Sequence, residues 1–571
     1  MTSKTSFFNI GIYKETVRRF LWGSILYFII LFISSSMSVM ITADSEFYHM
    51  NANYFADHPI ILSGHYMGIP IVLSIIIPTI VALMIFRFIH SKGQAIFVHS
   101  LPVSRKAIYV SSIAAAFTLM FLPVVMNGII LAVMSFTRYG IYFEAFSAVE
   151  WTLYNMLSLF MMFSCAVLSA TLTGNSFSMI VINILIHSFA FITASSLSVM
   201  AETFLYGYTT NNAVIEFIIE NNLAVSAFSF METRFIGSPP ALDIIKYILI
   251  SSGLYIISYF LYKRRNVENA GDIAAFRCLN HIFKYAVTLF VTLFGFAVFS
   301  QYTTENGFAF AVILLLISIV AYAASEMLLK KTLNVLYSWK GYVGFAICFS
   351  LVTVCFAFTS FFGYETQVPN PDEIKKAAIY NYYFRENEPY VSDEISVAAI
   401  NKAHSDLVNN EKIPVVAKNG YTYHNTYINI VYELENGKKM SRRYPVSEEK
   451  RNMIMNDMYK NTEIKKATEP AFIDKKLVRN IILYNVSTGS KFDSDIIDAL
   501  RDDIIDMDYQ TIHDDLYNSS SSVYSLEFEY ITDTRTDIHG NETNNIRYYQ
   551  YNINPNFKNT YNQIKEAIKT Q

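Results

Sequence analysis

The sequence predicts a polytopic α-helical membrane protein of about nine spans, followed by a soluble α+β domain. Three observations carry that prediction. Residues 1–363 of the 571 hold nine long apolar runs. Charge changes character at residue 364: residues 1–363 carry 19 Lys+Arg against 15 Asp+Glu, residues 364–571 carry 25 against 32, so +4 and −7 make up the net −3. The polar tail alternates helix-period and strand-period segments, as a folded soluble domain does.

A hydrocarbon core of ~30 Å takes ~20 apolar residues at ~1.5 Å each. Runs of that kind cover about 19–42, 68–90, 107–136, 151–173, 177–199, 241–262, 283–302, 305–328 and 341–363. The last four include close neighbours, so a re-entrant pair stays open there. Lys14, Arg18 and Arg19 precede the first run. That run exceeds the ~7–15 residues of a cleaved signal core and reads as a signal anchor. Residues 5–19 mix Phe7, Phe8, Ile10, Ile12 and Tyr13 with charge, the pattern of an interfacial helix leading into the span. With the N-terminus inside, 16 basic residues face inward and three, Arg138, Arg234 and Lys246, face outward. Cytoplasmic segments gather Lys and Arg. The N-terminus is therefore expected in the cytoplasm and the C-terminal domain outside the cell. The segment 200–240 is long for a connection, and its run AVIEFIIENNLAVSAFSF is amphipathic. It predicts short helices at the outer membrane surface, with a dip into the membrane as the alternative.

The chain divides into a membrane core at 1–262, additional spans at 263–363, a linker at 364–391 with Pro369, Pro371 and Pro389, and an α+β domain at 392–571. Within that domain, 392–411, 447–460, 492–508 and 558–569 have helical period. Residues 421–446 alternate around Asn436-Gly437, and 522–553 around Gly540, as hairpins do. A helix near 471–484 joins what reads as two α-β-β-α units.

Chemistry-bearing motifs are few. Cys165, Cys278, Cys348 and Cys355 all precede residue 364 and form no CxxC pair, so no disulfide framework or cysteine metal site is expected. The run Asp493, Asp495, Asp498, Asp502, Asp503, Asp506, Asp508 lacks the Gly and closing Glu of a calcium loop and reads as a solvated helix face. His404, His424, His513 and His539 lack paired spacing and read as surface histidines. No GxxxxGK[ST], GxSxG, HExxH or Gly-rich dinucleotide turn occurs, so catalytic residues, metal and cofactor are all expected to be absent from this chain. Arg87, His90, Glu326, Lys330 and Lys331 lie near inner span ends, where they can snorkel. Asn127, Asn155, Asn183 and His187 lie inside spans. Intramembrane polar groups are functional candidates, although bonds between helices explain them equally well.

The stretch SKGQAIFVHSLPVSRK (91–106), between the second and third spans, keeps Ile96, Phe97, Val98 and Leu101 in a basic, water-facing turn. They suit the apolar side of a short transverse helix that Pro102 terminates, after which Ser104 caps the third span. Exposed apolar side chains ringed by charge fit a groove on another protein, while a helix lying on lipid headgroups is the plainer alternative. The string KGQAIFVHSLPVSRKAIYVSS resembles the first cytoplasmic loop of permeases of the type-2, exporter-like ABC transporter class, in which an LPVSR segment follows a transverse helix. The N-terminal helix and first six spans fit the same layout. KRRNVENAGDIAAFRCLNHIFKY (263–285) and YINIVYELENGKKMSRRYPV resemble a Firmicute-type subgroup with extra spans and an extracellular domain of unknown function.

That resemblance implies a bacterial cell-membrane permease that pairs with a second permease, identical or related, and with separate ABC ATPase subunits supplying ATP and Mg. The transverse helix is then the coupling helix, with Gln94, Phe97, His99, Leu101 and Arg105 as its ATPase contacts, and the loop at 263–285 is a second candidate contact. A peptide, an antibiotic or an envelope-related compound is the implied cargo of export. No nucleic-acid partner is expected. Two other classes remain open from the residues: a membrane sensor of envelope-active peptides with little net transport, and a membrane-embedded enzyme of envelope synthesis.

Overall fold

The computed structural model describes residues 7–43, 68–141, 143, 145–209, 217–218, 221–232, 241–300, 307–335, 337, 339–358, 363–380, 389–409, 426–484, 495–513, 524–536 and 542–570. The chain forms two compact units. One comprises Met1–Leu197, Ala213–Val298 and Ala311–Ile347; the other comprises Ser198–Asn212, Phe299–Phe310 and Cys348–Gln571.

The first unit is helical. Helix α1 (Ile10–Leu31) continues through a π-helical turn at Phe32–Met37 and on to Ala43. The expected interfacial segment and the first span are therefore one uninterrupted helix. There follow α2 (Gly68–Ile85), the single turn α3 (Arg87–His90), α4 (Lys92–Ser100), α5 (Arg105–Met134), α6 (Ala145–Leu172), α7 (Ser176–Phe204), α8 (Leu223–Glu232), α9 (Ala241–Arg264), α10 (Arg277–Phe299), α11 (Gly307–Lys330) and α12 (Trp339–Phe358). Seven of these are long and apolar enough to cross a membrane; Ile69–Ile85 and Trp339–Cys355 are apolar but shorter. Among the seven, α6 is the most enclosed, packed by α2, α5, α8 and α9. Small residues let its neighbours approach. Ser158, Ser164, Ala166, Ser169 and Ala170 of α6 are fully buried, and a Cβ on Gly128 of α5 would stand 1.9 Å from Thr152 Oγ1.

Within the amphipathic segment, α8 packs against the long helices. Ser158, at the midpoint of α6, donates to the Ala227 carbonyl of α8 at 3.3 Å. Asn222, which caps α8 through the Ala224 N–H at 2.9 Å, donates to the carbonyl of His187 within α7 at 3.0 Å. Helix α8 thus sits alongside the middle of two long apolar helices. Ala227 of α8 is buried there with Met161, Met162 and Tyr247.

In the second unit, two three-stranded antiparallel sheets, ordered β1-β2-β3 and β4-β5-β6, share one hydrophobic core. The first half runs β1 (Ile374–Tyr380), α13 (Glu394–Asn409), β2 (Thr426–Leu434), β3 (Lys439–Val446), α14 (Glu448–Met458) and α15 (Thr462–Thr468). The second runs β4 (Val478–Tyr484), α16 (Asp495–Asp506), α17 (Tyr509–His513), β5 (Tyr524–Thr536), β6 (Glu542–Ile553) and α18 (Lys558–Thr570). Each half therefore has three strands and three helices, in the order β-α-β-β-α-α in the first and β-α-α-β-β-α in the second. The stretch 364–391 read as linker contains strand β1, and 471–484, read as a helix, ends in strand β4. The Asn436-Gly437 hairpin forms as expected, with Gly437 at φ +78°; Gly540 lies outside the described residues.

Several surface assignments also change. His404 is fully buried, and His513 pairs with buried Glu469 at 2.8 Å; His424 and His539 lie outside the described residues. Asp503 is not on a solvated face. It is buried and accepts the N–H groups of Asn559 and Thr560 at 3.0 and 2.8 Å, capping α18. No cluster of three metal-ligating side chains occurs among the described residues.

Candidate functional site: the α4 hairpin

Helix α4 forms where the sequence places it. Its last residue is Ser100, and Leu101, ahead of Pro102, turns extended at ψ 146°, the conformation that a following proline favours. Ser104 then caps α5 by accepting the Ala107 N–H at 3.1 Å. Across α4 the exposed residues Gly93, Ile96, Phe97 and Ser100 recur at helical spacing on one face. Ile96 is 64% and Phe97 66% exposed. Gln94, Val98 and Leu101 are half-buried, and Ala95 is buried. The apolar side expected from the sequence is thus divided between an open face and a closed one.

His99 and Arg105 belong to the closed side. His99 bonds through Nδ1 to the Ala95 carbonyl at 2.7 Å, and through Nε2 to the Tyr262 hydroxyl of α9 at 3.1 Å. Burial, partly opposed by its bond to the Ala95 carbonyl and reinforced by nearby Arg105 and Arg265, holds this imidazole below its ordinary pKa. Arg105 Nη1 donates to the carbonyls of Lys263 and Arg265 at 2.9 and 3.0 Å, with Tyr262 at 3.5 Å. These are the carbonyls a helix C-terminus leaves unpaired.

Arg265 is the residue that sequence reading missed. Its guanidinium is buried and donates to Ala170 and Thr171 at 3.2 and 3.4 Å, to Thr173, and to Ile89 at 2.8 Å. Burial lowers its pKa to about 10, so it stays charged at neutral pH. Beside it, His90 bonds the Ala170 carbonyl at 3.1 Å. His90 and Arg265 therefore do not snorkel or simply follow the inside charge bias. The turn after α6 is locked as well: Gly271 donates to Gly174 at 2.7 Å and Ala275 to Leu172 at 2.8 Å. A Cβ on Gly174 would lie 2.3 Å from the Asp272 carbonyl oxygen.

The intramembrane polar residues do not converge on one site. Asn127 donates to Pro123 at 3.1 Å and accepts from Ser36 at 3.3 Å, opposite the π-helical turn. Asn155 donates to the Trp151 carbonyl at 2.7 Å. Asn183 joins Thr79 at 2.8 Å and Ser169 at 3.3 Å, tying α7 to α2 and α6. Neither ring nitrogen of His187 has a hydrogen-bond partner among the described residues. Glu326, by contrast, is a buried carboxylate. It pairs with Lys284 of α10 at 3.2 Å and, one turn along α11, with Lys330 at 3.0 Å. Lys284 lies 42 positions away, which hid that pair from a reading of single runs.

No protein-family model matches the chain, and neither a characterised protein nor a solved structure does.

Proposed function

We propose that the chain is the membrane-spanning permease subunit of an ATP-driven transporter of the type-2 ABC class, and that α4 docks in a cleft of a separate ATPase. The observation that carries this reading is the division of α4. One face is fixed to the ends of other helices, and the other offers Ile96 and Phe97 to water. Exposed apolar pairs between basic residues are costly in a cytoplasmic loop and are explained by a partner that covers them. Ile96, Phe97, Gln94 and Leu101 are the docking residues in this reading, whereas His99 and Arg105 hold the helix from behind.

Sidedness is supported by parity. Gly207, just beyond α7, pairs with Arg443 of β3, whose N–H donates to Gly207 at 3.2 Å. The apolar helices α9 to α12 separate the two sequence regions. Four crossings return the chain to one side, as the pairing requires. Together with α1, α2, α5, α6 and α7 this makes nine crossings, a cytoplasmic N-terminus and an extracellular C-terminal domain in a cell membrane. The chain pairs with a second permease in this reading, and ATP and Mg act in the ATPase subunits. The cargo class is a peptide, antibiotic or envelope-related compound.

The test is co-purification with any ABC ATPase encoded beside the gene. Ile96→Asp together with Phe97→Asp removes two buried apolar contacts worth roughly 1.5–3 kcal/mol each. Binding should fall at least ~100-fold, with membrane insertion unchanged. Co-purification at the wild-type level refutes the docking assignment.

A further inference from the structure

We propose that Arg265 and Arg105 are positioning residues that make the docking helix α4 move with the cytoplasmic-side ends of α6 and α9. The functional consequence rests on the docking reading of α4; the mechanical linkage does not. The two arginines form a reciprocal clasp. Arg265, at the end of α9, reaches the Ile89 carbonyl at the root of the hairpin and the Ala170, Thr171 and Thr173 carbonyls ending α6. Arg105, at the far end of the hairpin, reaches back to the carbonyls of Lys263 and Arg265. Between them, His99 of α4 touches Tyr262 of α9.

Two physical arguments make this a linkage rather than incidental packing. A buried guanidinium that lost its acceptors would be an uncompensated charge, so the carbonyls that hold it must move with it. The planar fork also serves acceptors in more than one direction at once, here Ile89 on one nitrogen and the α6 carbonyls on the other, which a lysine ammonium on a flexible stem cannot do in the same geometry. The turn that Arg265 grips is itself rigid. Gly174 is in backbone contact with the loop at Asn269 and Asp272, and Asn175 donates to the Asp272 carbonyl at 3.1 Å. A push on α4 therefore meets the ends of two apolar helices and the start of α7 without a compliant joint.

Hydrogen exchange on the full chain in lipid nanodiscs tests it. The reporter amides are Ala95 (bonded to Ser91), Gly271 (to Gly174) and Ala275 (to Leu172), and the control is Ser226 (to Asn222) in α8. Arg265→Gln should accelerate all three reporters by at least about tenfold and leave Ser226 unchanged, with Arg265→Lys intermediate. Should Arg265→Gln also accelerate Ser226, marking general unfolding, Arg265→Lys and Arg105→Gln decide on the same reporters. The proposal is overturned when Ala95 keeps its wild-type rate while Gly271 and Ala275 accelerate. With the ATPase bound, wild-type Ala95 and Ala275 should shift together, and Arg265→Lys should shift Ala95 alone. Equal shifts in both proteins also overturn it. An ATPase that leaves wild-type Ala95 unprotected defeats the docking reading instead, and the nanodisc comparison still decides the clasp.

Discussion

The two halves of the C-terminal domain share a plan down to a displaced residue, yet they are built around different buried titratable groups. In the first half Ile374 pairs with Leu434 and Lys376 with Glu433, leaving Lys375 as an extra residue. In the second, Val478 pairs with Tyr530 and Asn480 with Glu529, leaving Arg479. Tyr444 stands opposite Ile428, and Tyr551 opposite Leu526, each on the third strand of its sheet. Both tyrosines point inward, but to different partners. Tyr444 and Tyr432 bracket the imidazole of His404 at 2.8 and 3.1 Å. Tyr551 donates to Glu469 at 2.8 Å, which also holds Tyr459 at 2.7 Å and His513 at 2.8 Å. One scaffold thus keeps a neutral ring in one half and an ionised carboxylate in the other. Backbone pairing sets the register, and the buried partner sets the response to solvent conditions.

Removing the carboxylate should do the most damage. Glu469 is 1% exposed and bridges side chains from both halves. Glu469→Ala would strand two phenols and an imidazole, so a loss of about 3–5 kcal/mol is expected. Denaturant unfolding of the full chain, read by proteolysis of the tail, checks this; a loss below about 1 kcal/mol would show that the cluster is dispensable.

Acid should separate the halves in order. Burial, with Arg442 adding to it, lowers the His404 pKa to about 4, against about 6.5 in an unfolded chain. The unfolded state therefore takes up the proton first. Stability is full above pH ~6.5 and falls as pH drops toward ~4, by at most about 3 kcal/mol. Glu469 behaves otherwise. Burial opposes its charge, but His513 and the Tyr459 and Tyr551 hydroxyls outweigh burial and hold it below the usual carboxylate range. Its contribution is present above pH ~4.5 and is lost only as pH falls below that. Between pH 6.5 and 4.5, exchange should accelerate in β2 and β3 before β5 and β6, and His404→Phe should abolish that difference. Equal acceleration of both sheets would falsify the assignment.

What the sequence disclosed follows from which interactions are local. The seven long apolar helices, the stop at Pro102, the Ser104 cap and the Asn436-Gly437 turn depend on residues within a few positions of each other, and all were legible. Strand β1 was not, because KKAAIY follows a proline-rich stretch and pairs with β2 more than fifty positions later. His404 carried a usable signal: it falls on the stripe Val397, Ile400, His404, Leu407, all buried. Lys263, Arg264 and Arg265 are indistinguishable as a basic run, and only packing singles out Arg265 as buried. The clasp was therefore invisible in a single sequence, whereas the open apolar face of α4 was half visible.

The smallest effects concern two glycines at the first half's edges. Both have positive φ, +81° at Gly207 and +78° at Gly437, where a side chain strains the backbone by about 1–2 kcal/mol. They differ in surroundings. A Cβ on Gly207 would stand 2.5 Å from Tyr444 Cε1, whereas one on Gly437 meets nothing within 4 Å. Gly207→Ala should then cost about 1 kcal/mol more than Gly437→Ala, since overpacking adds to the strain. It should also reach further. Tyr444 carries the hydrogen bond to His404, so displacing its ring opens that imidazole to water, returns it toward its ordinary pKa and shrinks the stability lost between pH ~6.5 and ~4. Gly437→Ala should lower stability and leave that acid loss unchanged. Paired denaturation at pH 7 and pH 5 separates strain from packing, and equal pH dependence in the two variants would show that Tyr444 does not link the Gly207 segment to His404.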